Sequence, residues 1–165
     1  MIRRFVIHYG GVAAVVLLTA AVWFSWFDIL QVKEKSMEPG LRDGQTILVN
    51  KMAYRNPFGK TTLPRPDDIV VFRNPLDHQL VVKRCRLLPG EPVRISRDGW
   101  LMVEDDEYFL TRSQKTLLST IPAVPEDSIL VLGDNPFHSV DSRDYGCIPV
   151  YKIRGKVIAL PGRKN

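Results

Sequence analysis

The chain has 165 residues, 45% hydrophobic and 25% charged, with a formal net charge of +5. This suits one modest domain plus an anchor and excludes a disordered or polytopic chain. The Lys and Arg residues form no basic helix and do not interleave with aromatics, so nucleic-acid binding is not indicated. The charge reads either as attraction to anionic lipid or as scattered solvated residues.

Residues 1–30 begin with Arg3 and Arg4 and continue as a nearly unbroken apolar run, Phe5 to Leu30. A helix of that length is about what a hydrocarbon core of roughly 30 Å requires. Trp23, Trp26 and Phe27 gather at its far end, as aromatics do at a membrane interface, and Asp28 follows. A cleavable leader is the competing reading, but Trp and Phe stand where small residues would flank a cleavage site. The expectation is a retained single-pass anchor in a plasma-type membrane, with a cytoplasmic N-terminus and residues 31–165 on the extracytoplasmic side. His8, inside the run, reads as interfacial.

Beyond the anchor, short β-forming runs alternate with Gly and Pro punctuation: Ile29–Lys35, Gly44–Lys51, Asp68–Phe72, Gln79–Leu87, Ser128–Leu132 and Ile153–Leu160. Glu91–Ser96 and Trp100–Glu104 flank Arg97-Asp98-Gly99, a hairpin signal, and Tyr108–Leu110 adds a further short strand. Met52–Pro66 reads as a loop, Thr111–Pro125 is weakly patterned, and Gly133–Pro136 is a turn. Met52–Tyr54 and Val150–Lys152 suggest short helical turns. The pattern predicts a mainly β, antiparallel, barrel-like domain with a small hairpin insertion at about 91–127.

Two cysteines, Cys85 and Cys147, lack metal-ligand spacing. They fit one disulfide in an oxidising compartment or two separate buried thiols.

Ser36, just past the anchor in Lys35-Ser36-Met37-Glu38-Pro39-Gly40, is a turn serine or a nucleophile. A nucleophilic serine needs a base in contact. His138, near Asp141 and Asp144, allows a Ser-His-Asp site. Lys83, after Leu80-Val81-Val82, is either an edge-strand charge or a desolvated amine whose lowered pKa makes it a base. In the second reading a hydroxyl donating to the amine, from Ser139 or Ser142, would hold its rotamer.

Three blocks carry a resemblance. Ser36-Met37-Glu38-Pro39, then Val82-Lys83-Arg84 with Leu88-Pro89-Gly90, then Gly133-Asp134-Asn135 with Ser139, Asp141-Ser142-Arg143 and Gly146 resemble the type I signal peptidases, membrane-anchored serine–lysine endopeptidases. The resemblance implies an antiparallel β domain with a peptide groove at the outer membrane face. Ser36 is then the nucleophile, Lys83 the base, and Ser139 the hydroxyl that orients the amine. Asp141 and Arg143 become a bracing charge pair, and Met37 and Val82 line a small substrate pocket. It also implies secretory precursors as substrates, cut after small-x-small sites, and lipid as a partner, with no metal or organic cofactor needed. Compared with larger relatives, the second β domain is expected to shrink to the region 91–127.

The chain departs from that pattern at identifiable positions. Gly40 follows the proline where the family usually has Thr or Ser. Glu34 stands where some members carry a serine that supports the oxyanion, and an ionised carboxylate cannot donate a hydrogen bond. Cys85 and Arg86 are unusual in the lysine block, as is Pro136-Phe137-His138 in the third. These departures keep two rivals open: a Ser-His-Asp hydrolase using His138, and a catalytically silent, tethered peptide-binding β module.

Overall fold

The computed structural model describes residues 2–55 and 61–158, without the side chains of residues 2–10 and 22. Helix α1 (Ile2–Trp26) leads into strands β1 (Phe27–Gln31), β2 (Thr46–Asn50), β3 (Ile69–Arg73) and β4 (Leu80–Leu87). A small three-stranded unit follows, β5 (Arg94–Ile95), β6 (Trp100–Val103) and β7 (Asp106–Phe109), with helix α2 (Arg112–Leu118). The chain returns through β8 (Ser128–Leu132), the short α3 (Ser142–Tyr145), β9 (Ile148–Pro149), a 3-10 turn at Val150–Lys152 and β10 (Ile153–Ile158). Antiparallel pairing gives a seven-stranded sheet, β1-β2-β10-β3-β4-β8-β9, beside the sheet β5-β6-β7.

Alternation distributes each strand between clusters. Val70 and Phe72 of β3 join Tyr54, Cys85, Ile129 and Val131 in one. Val71 turns the other way and meets Met37, Leu41, Ile47 and Val49. Strand β8 is buried along its whole length because Leu130 and Leu132 pack against Leu101, Tyr108 and Leu118 of the small unit, while Ile129 and Val131 face the main sheet. This explains why Ser128–Leu132 is continuously apolar and not alternating.

Several boundaries differ from those expected. The apolar run to Leu30 is not all helix, and the strand expected at Ile29–Lys35 is Phe27–Gln31. Asp28 decides this: Lys51 and Arg154 pair with its carboxylate at 3.2 and 2.6 Å, pinning β1 beside β2 and β10. The weakly patterned Thr111–Pro125 holds α2, and the stretch after the Gly133 turn holds α3. Val150–Lys152 is the expected helical turn, whereas Met52–Tyr54 forms turns only. Part of the loop expected at Met52–Pro66, residues 56–60, lies outside the described residues, as does the end of the strand expected at Ile153–Leu160. Cys85 and Cys147 are both free thiols and sit in different clusters. Burial pushes Cys85 up to about 12 and Cys147 up to about 11, so both are unreactive near neutrality. Among the described residues no helix is long and apolar enough to cross a membrane.

Candidate active site

The segment after β1 is held as a compact turn. The Leu41 N–H donates to the Met37 carbonyl at 2.7 Å, and Glu38 N–H to Lys35 at 3.2 Å. Met37 and Leu41 are each 1% exposed and bury the turn into the sheet. Ser36, between Lys35 and Met37, is itself buried. Its carbonyl accepts from the Asn135 N–H at 3.1 Å, which joins the Ser36 turn to the loop between β8 and α3. Among the described residues its own N–H has no acceptor.

Lys83 lies opposite Val70 in the β3–β4 pairing and is 3% exposed. On a strand it shares a face with Val81 and Cys85, while Val82 turns to the cluster holding Met37. Among the described residues its amine has neither an ion pair nor a hydrogen bond. Burial pushes it below the ordinary lysine value, and the Arg143 charge adds to this; Asp141, Glu34 and Asp134 oppose the shift without cancelling it.

Ser36, Met37, Val82 and Lys83 all line one cleft of about 650 Å³, between residues 30–37 on one wall and the start of β4 on the other. Strand β3 pairs with β4 from Leu80 to Arg84, but β8 takes up β4 only from Arg84 onward. Leu80–Lys83 therefore present a strand edge with no strand partner among the described residues. Glu34 also lines the cleft. It has a left-handed φ of 75° and is fixed by its N–H donating to Asp43 Oδ1 at 3.0 Å.

The third block packs against the Ser36 turn through the Asn135 N–H. Asp141 is fully buried and caps α3. Its Oδ2 accepts from Ser139 Oγ (2.7 Å), Gly133 N–H (3.0 Å) and Arg143 Nη2 (3.0 Å). Its Oδ1 accepts from Arg143 N–H (3.1 Å) and Nε (2.9 Å). The Ser139 proton is thus directed at Asp141, leaving the Oγ lone pairs to accept; this reverses the donor role expected for it. Ser142 Oγ accepts from the Val131 N–H at 2.9 Å and serves the strand. His138 is exposed at the cleft rim, 3.4 Å from Asn135 Oδ1.

Two glycines, Gly133 of this block and Gly40 of the Ser36 turn, carry structural demands that the motifs alone do not disclose. A Cβ on Gly133 would stand 2.2 Å from Ser139 Oγ and 2.5 Å from the Ser36 carbonyl oxygen, so only glycine lets the two segments touch. A Cβ on Gly40 would stand 2.1 Å from Asp134 Oδ2, which with Oδ1 receives the Arg84 guanidinium at 2.6 and 2.7 Å. The departure at Gly40 thus has a local cause: the Arg84–Asp134 pair occupies the space of a side chain. Arg86, unusual in its block, reaches Asp106 at 2.8 Å and Asp67 and Glu104 at 3.5 Å, tying β4 to the β6–β7 turn. The described residues contain no group of three or more His, Cys, Asp or Glu that could hold a metal.

Residues 3–160 match the family described as signal peptidase, peptidase S26. The chain belongs to that family. It is 33% identical over 165 residues to signal peptidase I V of Bacillus subtilis, covering 90% of this chain and 93% of the relative. It is 34% identical over 142 residues to signal peptidase I of Bacillus caldolyticus, covering 76% and 74%. Against the probable signal peptidase I-2 of Synechocystis sp. it is 33% identical over 135 residues; the match covers 76% of this chain but 58% of that relative's length.

Proposed function

We propose that this S26 member is a membrane-anchored serine endopeptidase that removes signal peptides from secreted precursors, cutting after small-x-small sites with a Ser36–Lys83 dyad. The observation that carries this is a buried lysine, with no partner for its amine among the described residues, lining the same cleft as a buried serine. An ordinary lysine is neutral in only about one molecule in two thousand at pH 7. Desolvation of Lys83 raises that fraction, and no described carboxylate pairs with the amine to hold its proton.

The precursor lies extended along the free edge of Leu80–Lys83, held by main-chain hydrogen bonds. Met37 and Val82 limit the pocket to small side chains. The neutral Lys83 amine accepts the Ser36 hydroxyl proton through its lone pair, and its N–H groups can donate to the Ser139 oxygen. Ser36 Oγ then attacks the scissile carbonyl. The Ser36 N–H, which has no acceptor among the described residues, supports the oxyanion. Lys83 returns the proton to the leaving amine and then activates the water that releases the acyl group.

The anchor is proposed from the apolar run Phe5 to Leu30, counting residues 5–10 and 22, whose side chains are not described; most of that run lies in helix α1. The helix's 25 residues span about 37 Å at 1.5 Å per residue. Val12, Val15, Val16, Leu17 and Leu18 on it are all exposed. Arg3 and Arg4 favour a cytoplasmic N-terminus and an extracytoplasmic catalytic domain. An anchor would confine the enzyme and the scissile bond to one surface. In the Ser-His-Asp alternative neither aspartate close to His138 in sequence is free to orient it: Asp141 is saturated, and Asp144 accepts from Gln114 and the Asp141 N–H.

The test is cleavage of a precursor bearing an Ala-x-Ala site by the purified full chain in lipid vesicles. Cutting at that site, lost in Ser36→Ala, is expected. Absence of cutting by the wild type would favour a silent peptide-binding module.

A further inference from the structure

The small unit touches α3 at three places. Gln114 Nε2 of α2 donates to Asp144 Oδ1 at 2.7 Å. The Tyr108 ring lies 5.9 Å from the Arg143 guanidinium carbon. Ile121 sits where a Cβ on Gly146 would make van der Waals contact at 3.4 Å. The first of these contacts is directional. Gln114 Oε1 accepts from the Thr111 N–H at 3.0 Å, so both ends of the amide are engaged and its orientation is fixed. Asp144 passes the constraint on: its Oδ2 accepts from the Asp141 N–H at 3.0 Å. Asp141 in turn receives Ser139, Gly133 and Arg143. A four-residue helix such as α3 has too few internal bonds to hold itself, so its order depends on such outside contacts.

We propose that Gln114 is a positioning residue for the catalytic site, acting through Asp144 on Asp141 and thereby on Ser139, the hydroxyl assigned to Lys83. The insertion that carries no family motif is then a buttress: α2 sets the N-cap of α3, and the N-cap sets the hydroxyl that serves the general base. This rests on the Ser36–Lys83 reading. None of Gln114, Asp144 and Asp141 lines the cleft, so loosening the buttress changes the chemical step and leaves precursor binding alone.

The experiment is steady-state cleavage of an Ala-x-Ala peptide by the full chain in detergent micelles, below the unfolding temperature of every variant. Gln114→Glu places a carboxylate against Asp144 and is expected to lower kcat by roughly tenfold or more, with KM within about twofold of wild type, since a hydrogen bond to a charged group is lost. Asp144→Asn combined with Gln114→Glu restores the bond with reversed polarity: the new amide at position 144 donates to the new carboxylate at position 114, while its oxygen still accepts from the Asp141 N–H. This double variant is expected to recover most of kcat. Wild-type kcat in Gln114→Glu, an unrecovered double variant, or a loss confined to KM would overturn the inference. Lys83→Ala runs alongside: full cleavage there overturns the dyad reading itself, whereas an inactive Lys83→Ala beside a fully active Gln114→Glu overturns the buttress alone.

Discussion

Replacing Gly40 by alanine tests how the Ser36 turn is fitted to the residues around it. The new Cβ would stand 2.1 Å from Asp134 Oδ2 and 3.0 Å from Arg84 Nη2, so the carboxylate must move. It cannot move freely, because it holds both nitrogens of Arg84 in a forked pair whose side chains are 22% and 13% exposed. A hydrogen bond to a charged group contributes about 1.5–3 kcal/mol, so losing one of the two costs about 2 kcal/mol. For a chain of this size that lowers Tm by about 4–8 °C. Asp134 also precedes Asn135, whose N–H holds the Ser36 carbonyl, so cleavage should weaken too. The assay is thermal unfolding of Gly40→Ala, Asp134→Ala and the double variant. With Asp134 truncated, the space is vacated and Gly40→Ala should add almost nothing. Additive losses in the double variant would refute the steric argument.

Further outcomes follow from the same geometry. Gly133→Ala should reduce cleavage by roughly a hundredfold or more, because the Ser36 carbonyl it meets is backbone and a shift of about 1 Å at a reacting group is enough; cleavage kinetics at wild-type levels would contradict this. Lys83→Met should abolish cleavage yet raise Tm at neutral pH. The folded-state value of Lys83 lies below the ordinary 10.5, so the unfolded chain binds more protons in between and wild-type stability rises with pH across that window. The Tm advantage of Lys83→Met should therefore fade as pH approaches that upper value, and an advantage that grows with pH would be the wrong sign. Glu34→Gln removes a charge that holds the Lys83 proton on, so the acid limb of the kcat/KM profile should move to lower pH; a move upward would show that Glu34 acts otherwise.

Much of the main sheet could be read from residues because its strands alternate or run apolar between Gly and Pro. What escaped was set by distant partners. Phe27–Gln31 looks like the tail of an apolar helix until Lys51 and Arg154 are placed beside Asp28. Helix α2 is short and buries Leu118, too little for a helical period to register, although Thr111 and Gln114 form a capping box that local spacing could have disclosed. Asp141 and Asp144 repeat that device at α3. The site was legible as three blocks, but the blocks did not convey direction. That Ser139 gives its proton to Asp141, and that Gly40 answers to Arg84 and Asp134, depend on contacts between residues far apart in the chain.

The central claim is that Lys83, and not His138, takes the Ser36 proton. The most direct measurement is kcat/KM for Ala-x-Ala precursor cleavage by Lys83→Ala and His138→Ala side by side. The account predicts a loss of about 10²–10⁴-fold or more in Lys83→Ala, the contribution of a general base, with His138→Ala close to wild type. Loss in His138→Ala with cleavage preserved in Lys83→Ala would contradict it.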